Sequence, residues 1–321
     1  MRQLVLIAVK LAISAALLYF AISRMNFSSI GDRFNRLELS WIMIAFAIAL
    51  LQTCIVAIRW QRVAQVCAAE LSSSQALRFN LIAAFFNQVL PSTVGGDAAR
   101  IWLLARTGAG WWKATCSVLL DRFIGVLALA VFVAASLYWS FALIENQAGR
   151  IVLLVTGLGS IAGGAAFLAL GRWRWLEQWS ATRRLAEMAA LARQILFSRG
   201  VSLMIVIMSL LVHVMTAAIA WSLARAVEAQ FEFVHALLLV LPVMLIATAP
   251  ISIAGWGVRE SALVLAFSYA GLPETDGLIV SILLGGVMFA VGIIGGIIWL
   301  ASPESLRISA AWKPEHQPPS P

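Results

Sequence analysis

The chain has 321 residues, of which 62% are hydrophobic and only 12% are charged. Soluble domains carry about 25% charged residues, so this composition excludes a soluble globular enzyme. Together with a mean hydropathy of +0.92 it predicts an all-α, polytopic helical bundle that forms one membrane domain over residues 1–312. The net charge is +8, and the basic residues lie between apolar blocks. In these positions they indicate membrane topology and contact with anionic lipid rather than nucleic-acid binding.

Six apolar segments are long enough to cross a ~30 Å hydrocarbon core, which needs about 20 helical residues. In chain order they are Leu4–Ile22, Trp41–Ile58, Thr115–Ile144, Ile151–Leu170, Val201–Ala224 and Leu278–Leu300. Between the fourth and the fifth, residues 172–199 combine arginines with apolar residues at helical spacing, which predicts an amphipathic linker helix on an anionic lipid surface. We expect the proline-rich tail, residues 313–321, to be disordered.

Two further apolar segments stop at a proline, and the sequence after each proline is similar. The first, Gln75–Leu90, is followed by PSTVGGDAAR, and the second, His235–Ala249, which we expect to kink at Pro242, is followed by PISIAGWGVR. In both motifs a glycine comes five residues after the proline and an arginine nine residues after it. The motifs lie 159 residues apart, which predicts two repeats of about 160 residues, residues 1–145 and 150–303.

The two proline–glycine segments admit two interpretations, kinked helices that cross the membrane or re-entrant broken-helix hairpins that do not cross it. The hairpin topology leaves six full spans and concentrates the basic residues on the side of the two termini, which the positive-inside rule makes cytoplasmic. The first hairpin then enters from the cytoplasm and the second from outside. The repeats are therefore expected to be inverted, as in many secondary transporters.

The broken helices supply groups that suit an anion. A half-helix that begins near Gly96 or Gly257 directs its N–H groups into the membrane, and Arg100 and Arg259 add full positive charges nearby. Ionisable residues in apolar sequence normally pair or line a polar interior. The candidate substrate-binding residues are Asn87, Gln88, Gly95, Gly96, Asp97, Arg100, Asp121, Arg122, Gly255, Gly257, Arg259 and Glu260.

Structural roles for the charged candidates stay open beside substrate or proton handling. Asp97 suits a pair with Arg100 or Arg122, or a cap on its half-helix, and Glu260 suits a pair with Arg259 or with an arginine of the other repeat. The sequence contains no HExxH, GxSxG or Walker motif, and its three cysteines have no CxxC spacing. We therefore expect no catalytic residue, no metal and no cofactor, and a protein that is not an enzyme.

Three segments resemble the flippase-like membrane domain of bacterial lysylphosphatidylglycerol synthases. They are FFNQVLPSTVGGDAARIWLLAR (Phe85–Arg106), SVLLDRFIGVLAL (Ser117–Leu129) and APISIAGWGVRESALVLAF (Ala249–Phe267). The resemblance extends over nearly the whole chain, without the cytosolic aminoacyl-transferase domain of the two-domain synthases. It implies translocation of a lipid, especially aminoacylated phosphatidylglycerol, across a prokaryotic inner membrane, and does not extend to synthase activity.

Three functions remain in competition. The first is a flippase or carrier for an anionic or phosphate-bearing membrane lipid, and the second is a membrane-embedded lipid-modifying enzyme, which would need a nucleophile or a metal. The third is a non-transporting partner subunit of a lipid or envelope-glycan biosynthesis pathway. We expect the first, in the inner membrane with both termini cytoplasmic, and the sequence is compatible with an oligomer.

Overall fold

The computed structural model describes residues 37–90, 94–170, 180–198, 201–248 and 257–302, and the regular elements in these ranges are all helical. Eleven helices follow one another there: α1 Leu39–Val66, α2 Ser73–Val89, α3 Gly95–Leu104, α4 Trp111–Ala135, α5 Leu137–Leu143, α6 Gln147–Ala169, α7 Ser180–Phe197, α8 Val201–Ala226, α9 Phe233–Ala247, α10 Val258–Tyr269 and α11 Glu274–Leu300. The predicted span Leu4–Ile22, Pro91, Pro250, Gly255 and the tail 313–321 lie outside the described residues.

Five helices of the described ranges, α1, α4, α6, α8 and α11, are long and apolar enough to cross a membrane. They coincide with five of the six predicted spans, so the prediction of an all-α multi-pass membrane protein is confirmed. The predicted span Thr115–Ile144 is wrong at its end, because α4 stops at Ala135 and α5 begins at Leu137. At the break, the Ser136 hydroxyl donates to the Val133 carbonyl oxygen (3.0 Å), a local bond of the type that bends helices.

Helix α9 is irregular where the sequence predicts a kink. Its residues Ala236–Val240 form a π-helical turn, and Pro242 follows at the start of the regular segment Leu241–Ala247. Proline has no N–H to donate to the preceding turn, and a π-turn is the wider helical form that tolerates an irregular ladder. In place of a simple kink at Pro242, the helix has a π-turn that ends two residues before the proline.

Helices α1 and α8 pack side by side in opposite directions. Hydrogen bonds join them from Glu38 to Ala226, from Gln52 to Val212 and Thr216, and from Arg59 to Ser209. The residue number of the partner falls along α8 as it rises along α1, which is the pattern of an antiparallel pair. The C-terminal end of α1 therefore lies at the opposite end of the bundle from the C-terminal end of α8.

The turns that follow α1 and α8 have the same local geometry at a spacing of 160 residues. Ala68 and Glu228 both adopt a positive φ, 52° and 54°, which is uncommon outside glycine. In both turns the next residue donates its N–H to the carbonyl oxygen five positions back, at 2.9 and 3.0 Å. Both α2 and α9 then begin with a capping box, on Ser72 in α2 and on Glu232 in α9.

Two pairs of shorter helices each begin and end at one end of the bundle. Leu71 before α2 and Leu104 at the end of α3 belong to one apolar cluster with Trp60 of α1. Phe231 before α9 stacks on Phe267 near the end of α10, with ring centroids 4.9 Å apart, in a cluster that includes the C-terminal end of α8. The pair α2–α3 thus belongs to the end where α1 finishes, and the pair α9–α10 to the end where α8 finishes.

Glycines let α2 approach α11 closely. A Cβ built on Gly295 would overlap the Leu81 carbonyl oxygen, and one on Gly296 would lie 2.8 Å from the Phe85 ring. Side chains at these positions would force the helices apart, since packed interiors have little free space. The glycines therefore fix α2, which carries part of the candidate site, against the long span α11.

Candidate functional site

Five charged side chains of α1, α3 and α4 form one continuous ion-pair network. Their order is Arg122, Asp97, Arg100, Asp121 and Arg59, so that an arginine stands at each end. Arg122 and Arg100 donate to the two oxygens of Asp97 at 2.7 and 2.5 Å, and Arg100 and Arg59 donate to the two oxygens of Asp121 at 3.1 and 2.9 Å. All four carboxylate oxygens are therefore engaged, and three cations against two anions leave one positive charge in excess.

The network is buried except at one end. Arg59, Asp97, Arg100 and Asp121 are at most 5% exposed, whereas the side chain of Arg122 is 48% exposed. Asp121 lies ten residues beyond the start of α4, about 15 Å along a helix of 25 residues that is long enough to cross a membrane. Charges at this depth are costly unless they are paired, so the four buried members stabilise one another.

Close packing of α3 on α2 fixes the helix that carries two members of the network. A Cβ on Gly96 would overlap the Ala83 carbonyl oxygen, so that only glycine permits this approach, and the Gly96 N–H donates to Asn87 Oδ1 at 2.8 Å. Asp97 follows directly, and Arg100 lies three residues later, a spacing that places both side chains on one face of a helix. The glycine motif of the sequence therefore positions the Asp97–Arg100 pair.

A cavity of about 370 Å³ adjoins the network, within the usual range for ligand pockets. Its wall includes all five charged side chains and several neutral polar residues, namely Gln52, Thr53, Asn80, Asn87, His213 and Thr248. Apolar side chains such as Val56, Leu129 and Met288 complete it. The cavity therefore offers both charged and uncharged hydrogen-bonding groups inside an otherwise apolar bundle, and the described residues contain no cluster of three potential metal ligands.

The second arginine motif forms a separate cluster at the start of α10. Glu260 is fully buried and accepts from the Gly257 N–H (2.6 Å), from Arg259 Nη2 (2.6 Å) and from the Ser281 hydroxyl (3.1 Å). The carboxylate thus caps its own helix and occupies the Gly257 N–H that the sequence offers as an anion donor. None of these four residues lines the 370 Å³ cavity.

The family model described as the lysylphosphatidylglycerol synthase TM region matches residues 7–296. The chain belongs to this family. The match confirms the resemblance stated from the three sequence segments, and it ties this multi-pass membrane protein to lipid metabolism. No curated protein and no solved structure matches the chain.

In this member of the lysylphosphatidylglycerol synthase TM region family, the candidate residues take different positions. Asn87, Asp97, Arg100, Asp121 and Arg122 line the cavity. Gly95 and Gly96 hold α3 against α2, and Gln88 packs beside Gly292 of α11 without lining the cavity. Gly257, Arg259 and Glu260 form the second cluster, and Gly255 lies outside the described residues. Asp97 pairs with both Arg100 and Arg122 rather than capping α3 with its side chain.

The sequence interpretation missed Arg59, which closes the network at its buried end. The predicted span Trp41–Ile58 stops directly before Arg59, but α1 continues to Val66. Trp60, Val63 and Ala64 after Arg59 are all buried, and this apolar continuation is the signal that the helix stays inside the protein. Arg59 is therefore an interior member of the site and does not mark the end of a span.

Proposed function

We propose that this protein is an integral membrane flippase or carrier that moves an anionic or phosphate-bearing lipid across the prokaryotic inner membrane. The cavity carries this proposal, because it lies about halfway along α4 and its wall has an excess positive charge that ends on the half-exposed Arg122. A lipid phosphate can reach Arg122 without separating the buried pairs. A polar path at this depth is what a headgroup needs in order to cross a hydrocarbon core.

The arrangement of the long helices supports two inverted repeats. Helices α1 and α8, which correspond at an offset of about 160 residues, run antiparallel. Helices α4 and α11 also run in opposite directions. Helix α4 begins near the end of α1, where Trp60 Nε1 donates to the Ser117 hydroxyl. Helix α11 begins near the end of α8, where Val280 and Ala224 belong to one apolar cluster. Antiparallel packing of equivalent helices is what a two-fold axis in the membrane plane produces.

The shorter helices support two re-entrant hairpins that enter from opposite sides. Each of the pairs α2–α3 and α9–α10 begins and ends at one end of the bundle, and the two ends differ. Asn87 near the end of α2 and Thr248 directly after α9 both line the cavity. The inner ends of the two hairpins thus meet where the headgroup would bind, and irregular backbone is tolerated at this depth only beside protein or a cavity.

We also propose that the linker, residues 172–199, lies on the anionic cytoplasmic leaflet, with both termini on that side. Its described part, α7, exposes Arg183 (65% of the side chain) and places the Arg184 guanidinium over the Trp112 ring at 5.3 Å. Basic residues close to an anionic surface contribute about 1 kcal/mol each, and tryptophan favours the interface. This placement needs no nucleic-acid partner and leaves the membrane-facing helices available for an oligomer.

The test is lipid flipping by the purified full-length protein in liposomes. Phosphatidylglycerol labelled with a fluorophore on an acyl chain is protected from dithionite in the inner leaflet and is quenched when it reaches the outer one. We expect the Arg122→Gln variant to flip about tenfold more slowly, because one charge-assisted hydrogen bond to phosphate contributes about 1.5–3 kcal/mol.

The matched control is Arg62→Gln, which removes the same charge from an exposed position on α1. It should flip within about twofold of the unaltered protein, because surface substitutions usually change free energies by no more than about 0.5 kcal/mol. If Arg122→Gln flips as fast as this control, Arg122 is not part of the transport path. If the folded unaltered protein flips no lipid at all, the non-transporting partner subunit becomes the better account.

A further inference from the structure

The charges of the network indicate which headgroups the cavity accepts. We propose that the cavity selects lipids with an anionic headgroup, discriminates against aminoacylated, cationic ones, and contacts the phosphate through Arg122. This inference rests on the proposed lipid carrier and specifies its substrate class. It departs from the aminoacylated phosphatidylglycerol that the sequence resemblance implies.

The carboxylates of the cavity have no capacity for a substrate ammonium group. Each of the four oxygens of Asp97 and Asp121 already accepts from a guanidinium at 2.5–3.1 Å. An ammonium that displaced Arg59 or Arg100 would leave a buried guanidinium without its carboxylate, which is among the most costly changes in a protein interior. Binding of a substrate cation by Asp97 or Asp121 is therefore strongly disfavoured.

The remaining polar groups of the described wall do not supply a negative charge. Gln52, Thr53, Asn80, Asn87 and Thr248 are neutral. His213 Nε2 donates to the Gly125 carbonyl oxygen at 2.9 Å, and protonation of its ring would add positive charge. A lysyl headgroup, whose two ammonium groups outnumber its phosphate, would thus meet a wall whose net charge repels it.

Arg122 has the opposite capacity. Its Nε donates to Asp97, and among the described residues its two terminal Nη groups have no hydrogen-bond partner. A guanidinium with free N–H groups and a half-exposed side chain suits bidentate contact with a phosphate. Thr53, Asn87 and Thr248 can then accept or donate to headgroup hydroxyls, which favours a polyol phosphate such as the glycerol phosphate of phosphatidylglycerol.

The proposal is tested by comparing headgroups in the same proteoliposomes. Phosphatidylglycerol, phosphatidylethanolamine and lysylphosphatidylglycerol, all labelled on an acyl chain, report headgroup preference without changing the headgroup. We expect phosphatidylglycerol to flip about tenfold faster than lysylphosphatidylglycerol, which is the order of magnitude that one charge-assisted hydrogen bond supplies. Arg122→Gln, which neutralises the network, should bring this ratio close to one, and Arg62→Gln should leave it unchanged.

A second readout does not depend on transport. Native mass spectrometry of the protein purified from membranes that contain all three lipids should show phosphatidylglycerol enriched on the unaltered chain and not on Arg122→Gln. Equal flipping of phosphatidylglycerol and lysylphosphatidylglycerol, or an enrichment of phosphatidylglycerol that persists on Arg122→Gln, would overturn the selectivity while the carrier function stands. Flipping of no lipid would overturn the carrier function, and the bound-lipid ratio would still decide the selectivity.

A further arm separates a lipid phosphate from a free one. Radiolabelled sn-glycerol 3-phosphate should not accumulate in the proteoliposomes, because the apolar wall and the lipid-facing bundle favour a headgroup that is tethered to acyl chains. If glycerol phosphate enters through the unaltered protein and not through Arg122→Gln while no lipid moves, the site serves a soluble phosphate and the lipid source is wrong.

Discussion

The network predicts that two adjacent residues of the sequence, Asp121 and Arg122, differ sharply in their contribution to stability. Asp121→Asn keeps the side-chain shape but leaves Arg59 and Arg100, which are 5% and 4% exposed, without a shared carboxylate. Arg59 would lose its carboxylate partner and Arg100 would keep Asp97, and leaving a buried charge unpaired in this way costs about 3–5 kcal/mol. Arg122 pairs through a side chain that is 48% exposed, and such pairs contribute at most about 1 kcal/mol.

Thermal stability in detergent, followed by size-exclusion chromatography, measures this difference. At roughly 2–4 °C per kcal/mol for a chain of comparable size, Asp121→Asn should lower the Tm by on the order of 10 °C or more, and Arg122→Gln by less than about 4 °C. If Asp121→Asn fails to accumulate, the double variant Arg59→Met with Asp121→Asn should recover part of the stability, because it removes the buried charge that Asp121→Asn leaves unpaired. Equal Tm shifts for Asp121→Asn and Arg122→Gln would refute the assignment of the buried end of the network.

Two further predictions concern packing and topology. Gly295→Ala should destabilise the protein by about 1–3 kcal/mol, because its Cβ overlaps the Leu81 carbonyl oxygen. The control Gly286→Ala on the same helix meets open space and should be neutral or stabilising by up to about 1 kcal/mol. Equal Tm values for the two variants would contradict the close contact of α2 and α11. A Thr275→Cys variant should react with an impermeant maleimide in intact cells, and reaction only after permeabilisation would contradict the proposed topology. The native Cys67 should add little background, since burial raises the pKa of its thiol to about 12 and keeps it protonated near neutral pH.

Hydropathy is enough to predict the long helices, because a lipid-facing backbone must satisfy its own hydrogen bonds and leaves helices as the available form. The same reasoning fails where charge is buried in protein. The boundary at Ile58 follows from the charge of Arg59, yet α1 continues because Asp121 of a distant segment neutralises that charge. A pairing of residues 62 positions apart has no signature in the local sequence, so the end of the helix could not be read from it.

The sequence also could not rank the arginines of the candidate site. Arg100 and Arg259 stand in matched motifs, which predicts that they act alike, but Arg100 joins two aspartates and Arg259 pairs with the glutamate beside it. The i to i+3 spacing of Asp97 and Arg100 is visible in the sequence, whereas the exposure that distinguishes Arg122 depends on how α4 faces the cavity. Residue types and spacing therefore indicate a charged site, and the packing of helices decides which charge a ligand can reach.

The odd number of charges explains how a buried network can also serve a moving ligand. A network of equal cations and anions would saturate itself, and a headgroup could bind only by separating a buried pair. Here the Arg122 Nε–H can keep its bond to Asp97 at 2.7 Å while its Nη groups, which have no hydrogen-bond partner among the described residues, contact a phosphate. Each arrival and departure of a headgroup would then be an exchange at the Nη groups of one half-exposed arginine, while every buried charge stays paired. Such an exchange avoids the desolvation and unpairing that make charge movement inside a membrane slow, and it is the property that a lipid carrier requires.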